Sequence, residues 1–242
     1  MKKPLVIAHR GCAGEAPENT LAAFKLAMEQ GCDAIELDVH FSKDGEIIVC
    51  HDHTIDRTSD GSGAIHELTV QEIQQADAGR WFDERYAGER IPLLSEVFEL
   101  VPPSIMINVE VKDLHGEAGE RRLVQFLRET NRVQHVVISS FNHELLVRLK
   151  QQEPELKIGM LYHQQVESHH GLAEQLGAPV FSLHPDFKLL DKAAVADAVD
   201  RGLEVYAWTV NSEEDMKLVV GLGVTGVITD FPGRLNKLLS VE

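Results

Sequence analysis

Short apolar runs of strand length alternate with amphipathic segments along the whole chain, and their number leaves few folds open. Nine such runs can be counted, at residues 5–9, 34–39, 46–50, 105–111, 136–140, 157–161, 180–183, 204–209 and 226–229. Helical patterns separate them at 20–30, where Asn19 is expected as the cap and Gly31 as the stop, and at 93–101, 117–129 and 144–152, with a last helix at 234–239. One run cannot lie parallel to its predecessor. Only residues 40–45 separate 34–39 from 46–50, whereas a parallel return needs a crossover of roughly a dozen residues. Setting it aside leaves eight parallel strands, the number that closes a (β/α)8 barrel. The length of 242 residues fits. The expected fold is α/β, a TIM-type barrel forming one domain over residues 1–242. The Gly-, Asp- and Thr-rich stretch 52–90, with one helical piece at 70–76, is read as a small insertion beside the barrel mouth, following the hairpin of the second strand.

That hairpin carries the densest chemistry. A strand over 34–39 alternates, so Glu36 and Asp38 share one face while Ile35, Leu37 and Val39 share the other. Residues 42–45 are a tight-turn signal in which Gly45 can take positive φ. Facing residue numbers should then sum to about 88 or 89 on hairpin geometry. His51 falls opposite Leu37 or Asp38, and a slip of one residue would carry it to the wrong face.

Barrel enzymes place their chemistry at the C-terminal ends of the strands. His9 and Arg10 end the first parallel strand, Glu36 and Asp38 the second, Glu110 and Lys112 the third on the face of Asn108, Trp208 the seventh and Asp230 the eighth. Three converging carboxylates without a cation would repel one another, and a divalent ion is the natural resolution. All-oxygen ligation by Glu36, Asp38 and Glu110 favours Mg2+ or Ca2+ over zinc. The alternative is an ion network in which Arg10 and Lys112 alone balance the acids. His9 and His51 at one mouth suit acid and base work, since imidazole titrates near pH ~6.5. His53 makes an HxH pair with His51, but a zinc site would need further strand-end histidines that the first strand does not supply. His169 and His170 read as a solvated helix face. Trp208 is either a core aromatic or a substrate contact.

A net charge of −16 argues against a nucleic-acid partner, which would need a basic face, and predicts weak attraction to anionic membranes. No apolar run approaches the ~20 residues of a membrane span. The basic start at residues 1–4 is followed by too short an apolar run for a signal peptide, so a cytoplasmic location is expected. Cys12, Cys32 and Cys50 are odd in number and form no CxxC pair, which speaks against a disulfide framework or structural zinc.

Several motifs occur in a joint order that resembles the glycerophosphodiester phosphodiesterase family nearly end to end. They are His-Arg-Gly at 9–11, Pro-Glu-Asn-Thr at 17–20, Glu-Leu-Asp at 36–38, Lys-Asp-Gly at 43–45, His-Asp at 51–52, Glu-Val-Lys at 110–112, Trp-Thr-Val-Asn at 208–211 and Thr-Asp-Phe-Pro at 229–232. The stretch 52–90 follows the family pattern too, and Leu93 stands where a threonine is common. The resemblance implies metal-dependent hydrolysis of a small-molecule glycerophosphodiester to sn-glycerol 3-phosphate and an alcohol. It implies metal binding by Glu36, Asp38 and Glu110, acid–base catalysis by His9 and His51, and phosphate contact by Arg10 and Lys112, and it places Phe141 near the glycerol pocket. Charges then balance: three carboxylates and a phosphodiester against a divalent ion, Arg10 and Lys112. Which histidine is the acid, whether water or the glycerol 2-hydroxyl attacks, the preferred alcohol, and whether the chain forms a homodimer stay open. The rival readings are a lysophospholipase D or sphingomyelinase D-like activity on the same scaffold, and a catalytically silent barrel that binds glycerophosphate.

Overall fold

The computed structural model describes residues 3–112 and 116–240; Met1 and Lys2 of the basic start lie outside them. Nine strands form one sheet: β1 (Leu5–His9), β2 (Ala34–Phe41), β3 (Ile47–Val49), β4 (Met106–Val111), β5 (Val136–Ser140), β6 (Lys157–Tyr162), β7 (Ser182–Pro185), β8 (Glu204–Ala207) and β9 (Gly226–Thr229). The order is β1-β9-β8-β7-β6-β5-β4-β2-β3, and a parallel β1–β2 pairing closes eight of the strands into a barrel. β3 stays outside, antiparallel to the upper end of β2. The helices α1 (Leu21–Glu29), α3 (Leu94–Leu100), α4 (Glu117–Glu129), α5 (His143–Gln152), α6 (His169–Gln175), α7 (Lys192–Asp200), α8 (Glu213–Leu222) and α9 (Pro232–Leu239) alternate with the barrel strands. A short α2 (Val70–Ile73) lies between β3 and α3.

Strand alternation divides the side chains into two sets. Val6, Ala8, Ile35, Leu37, Val39, Ile107 and Val109 point outward into a cluster with Phe24, Leu94, Leu123 and Leu146 of the helices. Inward, Ile7, Ala34, Tyr206 and Ile228 fill the lower lumen with Leu5, Met106 and Phe181. The lumen is thus apolar at its base, and the charged inward residues sit above it. Between β3 and α3 the chain builds a satellite cluster of its own: Ile55, Ile65, Ile73, Ala76 and Ala78 pack against Ile48, Cys50 and Ile91.

Several expected details change. Thr20, not Asn19, caps α1: its backbone is extended (φ −115°, ψ 160°) and its hydroxyl accepts from the Ala23 N–H. Asn19 is left-handed (φ 56°) and sends its amide to Asp38. α2 ends at Ile73, short of Ala76. β7 begins two residues late, although the Phe181 N–H already pairs with the Ile158 carbonyl. Leu93 begins α3 without a side-chain cap, and the Glu96 carboxylate accepts its N–H at 2.8 Å instead. His169 is not solvated: the first turn of α6 folds back over β6, burying the ring, with Nδ1 2.7 Å from the Tyr162 hydroxyl. His170 beside it is half-buried.

The turn leaving β1 has little freedom. Arg10 (φ 53°) and Gly11 (φ 81°) are both left-handed, and a Cβ on Gly11 would stand 2.7 Å from the Ala23 carbonyl carbon. A helix backbone cannot easily retreat. Gly11→Ala therefore combines backbone strain with overpacking and should destabilise the protein by roughly 2–4 kcal/mol. Urea unfolding measures this, and an unchanged midpoint would show that the turn tolerates a side chain.

Candidate active site

Parallel register brings the acids together. β1 pairs with β2 so that His9 is level with Glu36, and β2 pairs with β4 so that Glu36 is level with Asn108 and Asp38 with Glu110. All of these face the lumen. Glu36, Asp38 and Glu110 are 3%, 1% and 8% exposed, and one oxygen of each lies within 4.8 Å of the others. Burial, then the charges of Asp38 and Glu110, push the Glu36 carboxyl well above the usual carboxylate range, although the Arg10 N–H donates to it at 2.9 Å. Burial and the Asp38 charge likewise push Glu110 up to about 7, against its hydrogen bond from Lys112. Burial would raise Asp38 too, but Lys112 Nζ at 3.0 Å and Arg10 Nε at 3.4 Å hold it well below the usual range, and the Asn19 amide donates at 2.9 Å. Two cations therefore serve three acids. Glu36 Oε1 and Asn108 Oδ1 remain buried acceptors with no hydrogen-bond partner among the described residues. This local deficit of positive charge and the all-oxygen donor set fit a hard divalent cation, and no other such cluster occurs among the described residues.

Each histidine is oriented by an aspartate. His9 Nδ1 lies 2.7 Å from Asp230 Oδ1, and Asp230 is held by the Asn211 side chain, which donates to Oδ2 at 2.6 Å and accepts the Asp230 N–H at 3.0 Å. His51 Nδ1 lies 2.6 Å from Asp52 Oδ1. A carboxylate at Nδ1 fixes the proton there and leaves Nε2 to face the cavity. Burial lowers the His51 pKa despite the charge of Asp38. The hairpin pairs Val39 with Val49, a sum of 88, and the Cys50 N–H bonds the Asp38 carbonyl. Continued alternation would aim His51 outward beside Leu37. The strand instead ends at Val49, with the Cys50 N–H making the last backbone bond to β2, and the chain turns His51 into the cavity, where His40 Nε2 meets its carbonyl at 3.1 Å. His53 packs edge-on against His40 at 5.0 Å and does not line the cavity.

The cavity over the acids measures about 90 Å³. His9, Arg10, Glu36, His51, Asn108, Glu110 and Lys112 line one side, and Phe141, Leu161, Trp208, Thr209 and Ile228 the other. Asp38 does not line it but pairs with Arg10 and Lys112, which do. Trp208 is fixed by its Nε1–H to the His184 carbonyl at 2.7 Å, and Phe141 stands perpendicular to it at 5.7 Å. The nine side chains singled out in the sequence thus meet around one hollow. Asp52, Asp230, Asn211, Glu18 and Arg57, to which the sequence assigned no task at the site, and Asn19, expected only as a helix cap, brace them. The motifs His-Asp at 51–52, Pro-Glu-Asn-Thr at 17–20 and Trp-Thr-Val-Asn at 208–211, and the place of Asp230 after the eighth parallel strand, were the available signals. Arg57 lies in the Asp-Arg-Thr run at 56–58, within the stretch that follows the family pattern, but that run does not reveal its partners. A larger open depression, lined by Glu15, Gln30, Lys217, Arg234 and Lys237 among others, offers no histidine and no convergent acids.

Comparison with known proteins agrees with this geometry. The profile of the Glycerophosphoryl diester phosphodiesterase family matches residues 9–234. A protein of Caldanaerobacter subterraneus subsp. tengcongensis named glycerophosphodiester phosphodiesterase is 43% identical over 240 residues, covering 98% of each chain. Among solved structures, a phosphodiesterase from Oleispira antarctica in complex with the product sn-glycerol-3-phosphate is 33% identical, with a TM-score of 0.87 over 98% of this chain and 97% of its own. One from Silicibacter pomeroyi, described as a putative glycerophosphoryl diester phosphodiesterase, reaches a TM-score of 0.88 at 28% identity over 98% of this chain and 93% of its own. With a barrel closed in the same way and a family match over nearly its whole length, this chain belongs to the glycerophosphoryl diester phosphodiesterase family.

Proposed function

We propose that this protein hydrolyses glycerophosphodiesters to sn-glycerol 3-phosphate and an alcohol with the help of one divalent cation, Mg2+ or Ca2+. The observation that carries the reading is the convergence of three buried carboxylates, two cationic side chains and two aspartate-oriented histidines on one small cavity. Glu36, Asp38 and Glu110 would hold the cation, which when bound draws electron density from a phosphoryl oxygen. Arg10 and Lys112 bind the remaining phosphate charge. Trp208 and Phe141 form an apolar wall for the glycerol carbons, leaving polar contacts to the opposite side. One imidazole takes the proton of the attacking hydroxyl or water through its free Nε2, and the other protonates the departing alkoxide. The direct test incubates the purified protein with glycerophosphocholine and measures released glycerol 3-phosphate. Release should stop with a chelator and return with Mg2+ or Ca2+, and full turnover after metal removal would refute the cation's part.

His9→Ala and His51→Ala should each lower kcat/KM on the order of 10²-fold or more. On a p-nitrophenyl ester, whose leaving group needs no proton, the variant lacking the acid should regain activity and the variant lacking the base should not. Equal losses on both substrates for both variants would leave the imidazoles as phosphate holders only.

The raised carboxyls make a stability prediction as well. Folded Glu36 and Glu110 keep protons that the unfolded chain releases near pH ~4.3, so the metal-free fold loses stability as pH rises from there through about 7. A divalent cation removes that penalty. Adding Mg2+ or Ca2+ should therefore raise Tm more at pH 8 than at pH 6, as followed by calorimetry. An equal or larger rise at pH 6 would contradict the ligand assignment.

A further inference from the structure

Two charged groups just outside the cavity, Arg57 and Glu18, are not used by the reaction scheme. Arg57 does not line the cavity, yet its guanidinium makes four hydrogen bonds to two acids that are far apart in sequence. Nη1 and Nη2 reach Glu18 Oε2 and Oε1 at 2.9 and 2.8 Å, while Nε and Nη2 reach Asp52 Oδ2 and Oδ1 at 2.7 and 3.1 Å. Each acid has a second duty. Glu18 accepts from Arg10 Nη1 at 2.8 Å, and Asp52 holds His51 Nδ1 at 2.6 Å. One fork thus joins the loop after β1, which carries Arg10, to the loop after β3, which carries His51.

We propose that Arg57 is a positioning residue that locks these two loops together, so that the Arg10 guanidinium and the His51 imidazole address one phosphate from fixed places. The proposal rests on the phosphodiesterase reading above. Geometry favours it over a simple surface ion pair. Exposed pairs contribute little to stability, and the Arg57 side chain is 45% exposed, but a planar guanidinium that grips two carboxylates side by side sets their directions. The same stretch of chain grips the β1 loop a second time, since Tyr86 Oη and Arg85 Nη2 donate to the Glu15 carbonyl at 3.0 and 3.3 Å. Without Arg57, Glu18 keeps Arg10 as its only ion-pair partner among the described residues and draws it from the phosphate. Asp52 is then free to turn away from His51. A lysine has the charge but not the fork.

The experiment compares wild type, Arg57→Ala, Arg57→Lys and Asp52→Asn on glycerophosphocholine, with and without millimolar guanidinium chloride, at a temperature where all are folded by circular dichroism. Misplacing reacting groups by about 1 Å costs on the order of 10²-fold, and a kcat loss of that size is expected for Arg57→Ala. Guanidinium should restore part of it by entering the exposed vacancy, and should not help Asp52→Asn. Arg57→Lys should stay close to the alanine variant. Near-wild-type turnover by Arg57→Ala, a loss that guanidinium does not reverse, or full recovery with lysine would each overturn the proposal. If the wild type itself fails to release glycerol 3-phosphate, the phosphodiesterase reading falls. Amide exchange over residues 10–19 then still reads the clamp: faster exchange in Arg57→Ala supports it, and unchanged exchange overturns it.

Discussion

The structure depends on holding three carboxylates in a space where they repel one another. Removing a carboxylate from water costs several kcal/mol even after relaxation, and gathering three compounds the cost. The barrel bears this because most of the surface packed around the site is apolar, from Val6 and Ile35 on the helix side to Ile7 and Tyr206 in the lumen. Arg10 and Lys112 compensate Asp38 and Glu110 but leave Glu36 with a backbone N–H and the edge of His9 at 4.0 Å. Such an undercompensated site favours positive charge, which accords with the cation proposed for it.

Around that centre the polar groups are braced in pairs. Asp230 and Asp52 orient the two histidines, Asn211 holds Asp230, and Arg57 holds Asp52. Orienting partners of this kind fix which imidazole nitrogen bears the proton, and they turn flexible side chains into groups with a set direction. The stretch between β3 and α3 has its own small apolar cluster against β3, so the arginine it presents stands on a supported frame.

Much of this was legible in the sequence because it follows from local periodicity. Alternation determined that Glu36 and Asp38 share a face, and that Asn108, Glu110 and Lys112 do. The short connection after Phe41 determined that one strand had to be antiparallel, and the count of the rest then pointed to an eight-stranded barrel. The position of His9, Trp208 and Asp230 at strand ends followed from the same pattern, and the joint order of the motifs named the family.

Tertiary structure decided what depends on where a strand stops and on which loops meet. Alternation alone would have turned His51 outward, and only the end of the strand at Val49 aims it into the cavity. Asn19 looked like a helix cap until the left-handed turn gave its amide to Asp38, and His169 looked solvated until α6 folded over Tyr162. Arg57 reaches back 39 residues of sequence to Glu18 and joins it to Asp52, a pairing that no local pattern encodes. Periodicity is a property of neighbouring residues and can be read from them; contact between loops is a property of the closed barrel and exists only once the chain has folded.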